Sequence, residues 1–412
     1  VQKSLRVALP TAAFLPKFGG VEVGLHNIAS RLQKMGHRPT LLVPARFVKS
    51  AQEVGFKPPY PVVGMPTKVF EVFIRWPWLG FQIMDRFFNR MQKQHQFDVW
   101  HATMGYPIGV CLMHYFAGYP AVPNLVRCVG DDIQLMPEIG YGMRQDQTID
   151  GLVRRWLPES DRLIAISESV AQEYRSLEVP EERIAHIPNG VDLARFNEVN
   201  DLALARQKLG ISADEFVFLS VGRNHSKKNF AGILRAAAIL KQETTARFVV
   251  VIVGRDVPEL SSYAAELGIA DIVRLENQFS AADWSSGNVD VPSSELVSLY
   301  QASDCFVFPS HVETFGIVIV EAMAAGLPII TSDGPGCRDL VDGGKYGLQV
   351  GANDHAALAA NMKRVLEDQD LYADYAARAS DRAQAYSWDV VVEKYVGLYR
   401  QMIAEANNVD QR

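Results

Sequence analysis

Cys305-Phe306-Val307-Phe308-Pro309-Ser310-His311-Val312-Glu313-Thr314-Phe315-Gly316-Ile317-Val318-Ile319-Val320-Glu321-Ala322-Met323-Ala324-Ala325-Gly326-Leu327-Pro328-Ile329-Ile330-Thr331 reads as strand, loop, helix and strand. Cys305–Phe308 and Pro328–Thr331 are apolar runs of strand length, and a helix opens between them near Phe315-Gly316. Strands alternating with helices imply a mostly parallel sheet covered on both faces. Glu313 and Glu321 stand out in this setting. An apolar, small-residue helix seldom turns an acid toward packed surface unless the carboxylate has a hydroxyl or a cation to bind. Glu321 has Val318, Ile319, Val320, Ala322, Met323 and Ala324 around it, which leaves little solvated face.

The same alternation extends in both directions. Leu5–Leu9, Thr40–Val43, Asp98–Trp100, Leu125–Val129, Arg162–Ile166 and Ile184–Ile187 are predicted strands of a first set. Pro188-Asn189-Gly190-Val191-Asp192 is a turn-forming cluster, after which Phe216–Val221, Phe248–Val253, Ile272–Leu275, Cys305–Phe308 and Pro328–Thr331 form a second. With 412 residues the chain suits two α/β domains, expected at 1–188 and 189–387. The final segment, 388–412, reads as a helix with Val391, Val392, Tyr395, Leu398, Tyr399 and Ile403 on one face, expected to pack back on the first domain. Ligands of such sheets bind beyond the carboxyl ends of the strands, so two facing edges can grip one ligand across a cleft.

A net charge of -6 argues against non-specific nucleic-acid binding. The four cysteines, Cys111, Cys128, Cys305 and Cys337, lack paired metal-ligand spacing and read as buried free thiols of a reducing compartment. Leu5-Arg6-Val7-Ala8-Leu9 is too short for a signal-peptide core, and no apolar run of spanning length follows, so a cytoplasmic protein is expected.

Val221-Gly222-Arg223-Asn224-His225-Ser226-Lys227-Lys228-Asn229 runs from a strand end into a helix. Arg223 and Lys228 beside a helix N-terminus would neutralise a diphosphate with two cations and a dipole; a solvated basic loop is the other reading. At Phe315-Gly316-Ile317 the free amides of a first helical turn can face an anionic or hydroxylated ligand, and Gly316 allows close approach. Phe18-Gly19-Gly20-Val21-Glu22 admits a phosphate against its backbone, or is simply a tight turn. Its spacing is not the Gly-x-Gly-x-x-Gly of a nicotinamide-binding turn. His101, Asp131 and Asp132 are expected at strand ends, as acid, base or acceptor-orienting groups or, more blandly, as structural groups and caps. No metal site is expected there. Finally, Ile74 to Lys93 mixes large aromatics with cations. A helix packed on its own domain is preferred for Arg75–Lys93, with peripheral contact to the inner face of a membrane, or a site for a lipid-linked acceptor, as the alternatives.

Taken together, Pro309-Ser310, Glu313-Thr314-Phe315-Gly316, Glu321-Ala322-Met323, Gly326-Leu327-Pro328, Val221-Gly222-Arg223 with Lys228, Ile187-Pro188-Asn189-Gly190-Val191-Asp192, Ile166-Ser167-Glu168-Ser169 and Gly19-Gly20-Val21-Glu22 resemble a family 4 retaining glycosyltransferase (group 1) of the GT-B fold. That resemblance implies two doubly wound Rossmann-like domains facing a central cleft. It implies that Glu313 contacts donor-sugar hydroxyls, Glu321 the nucleotide ribose, and Arg223 and Lys228 the diphosphate. Backbone at Gly20 and at Phe315, Gly316 and Ile317 would assist, and the strand end from Leu275 to Asn277 would approach the base. The donor would be a UDP- or GDP-sugar with no further cofactor and no metal, and the acceptor a saccharide or lipid-linked saccharide. Two departures stand out. Val129 precedes Gly130-Asp131-Asp132 where similar enzymes often have a histidine, a role that would fall to His101 or be met otherwise, and the polar stretch Ser280–Ser294 is longer than the usual connection. A nucleotide-sugar epimerase and a non-catalytic sugar-nucleotide-binding protein are the alternatives on the same fold.

Overall fold

The structure, a computed structural model, describes residues 3–16, 19–119, 122–198, 200–277 and 292–409. Phe18 and nearly all of the Ser280–Ser294 stretch lie outside them. The described residues form two compact units, one holding those up to Asn189 and from Trp388 onward, the other those between Gly190 and Ser387.

The first unit is built on seven parallel strands: β1 (Arg6–Pro10), β2 (Arg38–Pro44), β3 (Val62–Met65), β4 (Val99–Thr103), β5 (Asn124–Arg127), β6 (Arg162–Ala165) and β7 (Ile184–His186). Their order is β3-β2-β1-β4-β5-β6-β7, with Ala8 opposite both Thr40 and Trp100. Val7, Ala8 and Leu9 are fully buried, as expected for a strand covered on both faces. The order reverses between β1 and β4. From β1 the chain enters the helix Gly20–Lys34, and from β4 it passes Met104 (φ 86°) into the turn at Gly105–Gly109.

The last helix, Trp388–Val409, belongs to this unit. Val391, Val392, Tyr395 and Tyr399 are fully buried on it, and Arg31 of Gly20–Lys34 pairs with Asp389 at 2.8 Å. Burial of these four side chains is a driving force of about 1.5–3 kcal/mol each. All four cysteines are free and buried. Among the described residues no helix is long and apolar enough to cross a membrane.

The second unit has six parallel strands: β8 (Phe216–Val221), β9 (Phe248–Val253), β10 (Val273–Glu276), β11 (Cys305–Phe308), β12 (Ile329–Ser332) and β13 (Leu348–Val350). Their order is β10-β9-β8-β11-β12-β13, with Cys305 opposite Phe218 and Phe306 opposite Leu219. The direction of winding reverses between β8 and β11, and such a switch point opens a crevice at the carboxyl ends of the two strands. The loops that carry Arg223, Lys228 and Glu313 are the two that leave those ends.

Candidate active site

Beyond Val221 the chain turns at Gly222, whose φ of 157° disfavours a side chain. It makes one 3-10 turn at Ser226–Lys228 and enters the helix Phe230–Glu243 through Asn229, at φ 56°. The loop after β11 is stitched to this one. Lys227 O accepts from His311 N (2.7 Å) and Ser310 Oγ (2.7 Å), and Asn229 Nδ2 donates to Pro309 O (3.2 Å) and Ala352 O (2.6 Å). Two loops distant in sequence thereby become one rigid floor.

On that floor Lys228 Nζ lies 2.6 Å from Glu313 Oε1. Lys227 Nζ is 3.8 Å from Oε2, and Ser310 Oγ is 3.0 Å from Oε1. Glu313 is only 7% exposed. Burial pushes its carboxyl up, but the charges of Lys228 and then Lys227 outweigh it and leave Glu313 below the usual range. Burial likewise pulls Lys228 below the usual lysine range, with Glu313 opposing. The ammonium also sits 4.8 Å from the centre of the Phe308 ring. Arg223 is exposed on the same loop.

A third loop, after β12, was not anticipated. A Cβ on Gly336 would lie 2.1 Å from Glu313 O, and φ there is 76°, so the backbone of Gly334-Pro335-Gly336 packs directly on the Glu313 loop. Glu313 N donates to Pro335 O at 2.8 Å. The sequence signal was the Gly-Pro-Gly itself, immediately past a strand end.

The helix Ile317–Ala324 begins at Gly316 (φ 89°) with no side-chain cap, so Glu313 does not serve as one. Amides of its first turn are among the groups a helix leaves without intrahelical partners. Phe315 is buried against Tyr386, their rings 5.6 Å apart. Glu321, one turn on, is 7% exposed, and its Oε2 accepts from the hydroxyl of the fully buried Tyr300 at 2.9 Å. Burial raises this carboxyl to about 7, with the Tyr300 bond pulling the other way. Tyr300, on the helix Ser294–Gln301, and Lys227 were both missed in sequence. Leu275 and Asn277 lie at and just past β10, the edge strand two places from β8.

In the first unit, Gly19 precedes the helix Gly20–Lys34 in an extended conformation, and a Cβ there would approach Glu22 Oε2 to 2.7 Å. A Cβ on Gly20 would meet nothing within 4 Å. His101 requires a correction. It is not at a strand end but in the middle of β4, fully buried, with Nδ1 2.7 Å from the Tyr399 hydroxyl and its ring 4.9 Å from that of Tyr395. Burial, then the Arg127 charge, hold it well below the usual histidine range. A neutral, enclosed imidazole that fastens the last helix is no acid or base for an incoming hydroxyl. Asp132 is also structural, since its buried carboxylate accepts from the backbone N–H groups of Gly105 (2.6 Å), Gly130 (2.7 Å) and Val129 (3.1 Å). Asp131 is half-buried beside it, with its carbonyl accepting from Met143 N at 2.7 Å.

With this geometry in view, the relationships of the chain are specific. The family described as Glycosyl transferases group 1 matches residues 203–382, and Glycosyltransferase Family 4 matches residues 18–195. The D-inositol 3-phosphate glycosyltransferase of Thermobispora bispora is 33% identical over 306 residues, which are 72% of this chain and 66% of that protein. Its namesake in Thermomonospora curvata is 32% identical over 71% of this chain and 66% of its own length. The match thus spans just under two thirds of these relatives. Among solved structures, a glycosyltransferase from Rickettsia africae superposes with a TM-score of 0.75 at 18% identity, covering 97% of this chain and 99% of that one. Anabaena Alr3699/HepE, solved in complex with UDP, gives 0.73 at 21% identity, covering 96% of this chain and 100% of the other. At such identities the solved structures speak to the fold. The chain belongs to the family 4, group 1 glycosyltransferases and has the two-domain α/β architecture of the GT-B fold.

Proposed function

We propose that the protein transfers a hexose from a UDP- or GDP-sugar to a saccharide or lipid-linked saccharide acceptor, with retention at the anomeric carbon and without a metal ion. The observation that carries this reading is the Lys228–Glu313 pair at the switch point of the second sheet, its carboxylate buried and 2.6 Å between charged atoms. A nucleotide sugar has an anionic half and a hydroxyl-bearing half joined at one bond, and an adjacent cation and carboxylate match that junction. Lys228 and Arg223 offset the charge that develops on the diphosphate, with the first-turn amides of Ile317–Ala324 beside them. Glu313 accepts from hydroxyls of the sugar, and Glu321 from the ribose diol. As the bond from the anomeric carbon to the diphosphate oxygen breaks, its electrons go to that oxygen, and the acceptor hydroxyl adds on the same face through an oxocarbenium-like state. The departing diphosphate takes up the acceptor proton, so no protein base is needed at His101.

The likeness to D-inositol 3-phosphate glycosyltransferases adds phosphorylated polyols to the acceptors worth testing. The test is a thermal-shift screen of uridine, guanosine and adenosine diphosphate sugars, since a ligand that binds the native state raises its stability. The preferred donor is then incubated with and without saccharide and polyol phosphate acceptors. Transfer with the anomeric configuration kept is expected. An isomerised sugar from donor alone would mean an epimerase, and no stabilisation by any nucleotide sugar would end the donor-site assignment.

A further inference from the structure

The aromatic and basic stretch from Ile74 to Lys93 divides into two parts that the sequence does not separate. Within the helix Pro77–His95, Phe81, Met84, Phe87, Phe88 and Met91 are buried. At its junction with the preceding helix, Val69–Arg75, the side chains of Ile74, Trp76 and Trp78 are 67%, 48% and 62% exposed. Fraying does not account for that exposure. Phe73 and Phe81 behind the junction are buried with their rings 5.1 Å apart, and a Cβ on Gly80 would lie 2.6 Å from Phe73 Cα, so the two helices are locked together at their crossing. The packing that takes Phe73 and Phe81 inward holds Ile74, Trp76 and Trp78 outward.

The exposed charges along these two helices are mostly positive. Lys68, Arg75, Arg86, Arg90 and Lys93 are exposed, and the Arg75 guanidinium lies 5.2 Å from the centre of the Trp76 ring. Within Pro77–His95 the only carboxylate is Asp85, which is half-buried and 3.1 Å from His114. Glu71 is the one exposed acid on the preceding helix. In a chain of net charge -6 this is a local excess of cations.

We infer that this tip seats on an anionic lipid surface, with Ile74, Trp76 and Trp78 in the headgroup and acyl boundary and the five cations against lipid phosphates. Indole rings, apolar in body and polar at one edge, suit that boundary. The three side chains present on the order of 400 Å² of apolar surface. A standard protein interface needs about 800 Å² per partner, whereas an interfacial anchor needs only a few inserted side chains with basic neighbours.

The test is sedimentation of the full chain with vesicles of phosphatidylcholine and phosphatidylglycerol in a 7:3 ratio, against vesicles of phosphatidylcholine alone. Binding is expected to the anionic vesicles and to weaken with salt. It should fall about tenfold in Trp76→Ser/Trp78→Ser, and more modestly in Arg86→Gln/Lys93→Gln, with melting temperatures unchanged because all four side chains are exposed. Equal binding of wild type and the tryptophan variant, no binding to either vesicle, or a dimer abolished by the tryptophan substitutions in place of vesicle binding would each overturn the inference. The readout involves no sugar or nucleotide, so it stands apart from the proposed transfer.

Discussion

Replacing Glu321 by Gln should stabilise the protein while impairing it, and the effect should depend on pH in a definite direction. Burial raises the Glu321 carboxyl from the ordinary 4.5 to about 7 in the fold. Among the described residues the Tyr300 hydroxyl is the one side-chain group that hydrogen-bonds its carboxyl, and no cation pairs with it. A group raised in this way makes its full contribution to stability below pH 4.5, loses it as pH rises through about 7, and leaves the fold carrying an unpaired buried charge above that. The difference between the two values corresponds to about 3 kcal/mol. Gln keeps the shape and an acceptor for Tyr300 but cannot ionise. Calorimetric melting of wild type and Glu321→Gln at pH 5 and 8.5 should therefore show little difference at the lower pH. At the higher pH the variant should gain up to about 3 kcal/mol, or about 6–10 °C for a domain of this size. If Glu321 accepts from the ribose as proposed, the same variant should bind the preferred nucleotide about tenfold or more weakly at pH 8.5, because that charge-assisted acceptor is gone. Equal melting differences at both pH values, or a variant less stable at pH 8.5, would refute the account of Glu321 as a carboxylate kept for binding at the expense of stability.

Three further outcomes can be measured. Lys228→Ala should lower calorimetric nucleotide affinity by about 1.5–3 kcal/mol, since it removes the charge-assisted contact to the diphosphate proposed above. It should also raise the Glu313 carboxyl, which carbon-detected NMR titration can follow. In Tyr300→Phe the bond that restrains Glu321 is lost, so the pH midpoint of nucleotide affinity should move upward while affinity well above it falls only a few-fold; an unmoved midpoint would leave Tyr300 as packing alone. His101→Phe should cost about 1–3 kcal/mol of stability, because the buried Tyr399 hydroxyl loses its partner, yet leave turnover of the folded enzyme intact. A large loss of kcat with an unchanged melting temperature would restore His101 as a chemical group.

Three interior strands of the second sheet were read from sequence at their observed bounds. β8, β9 and β11 have the bounds read from Phe216–Val221, Phe248–Val253 and Cys305–Phe308, because an interior parallel strand is covered on both faces and must be apolar throughout. The edge strands β3 and β13 escaped. Val62-Val63-Gly64-Met65 is only half-buried for most of its length, and Leu348–Val350 is three residues long, so neither carries a clear pattern. His101 was misplaced because Asp98-Val99-Trp100 looked like a complete strand. The strand continues through Ala102 and Thr103 since both are buried, and only packing shows that.

Alternation of apolar runs with helical stretches was enough to determine two parallel α/β sheets, and residue chemistry near predicted strand ends was enough to nominate Arg223, Lys228, Glu313 and Glu321. Those features are local, written in periodicity and in the identity of a few neighbours. Tertiary structure alone decided that Lys228 meets Glu313 across 85 residues, that Tyr300 holds Glu321, that Gly336 supports the Glu313 backbone, and that Ile74, Trp76 and Trp78 face outward while Phe81 faces in. The reason is physical. The strand order β10-β9-β8-β11-β12-β13 makes neighbours of segments far apart in the chain. Whether a charge or an indole is buried, paired or presented to solvent depends on which segments those neighbours are.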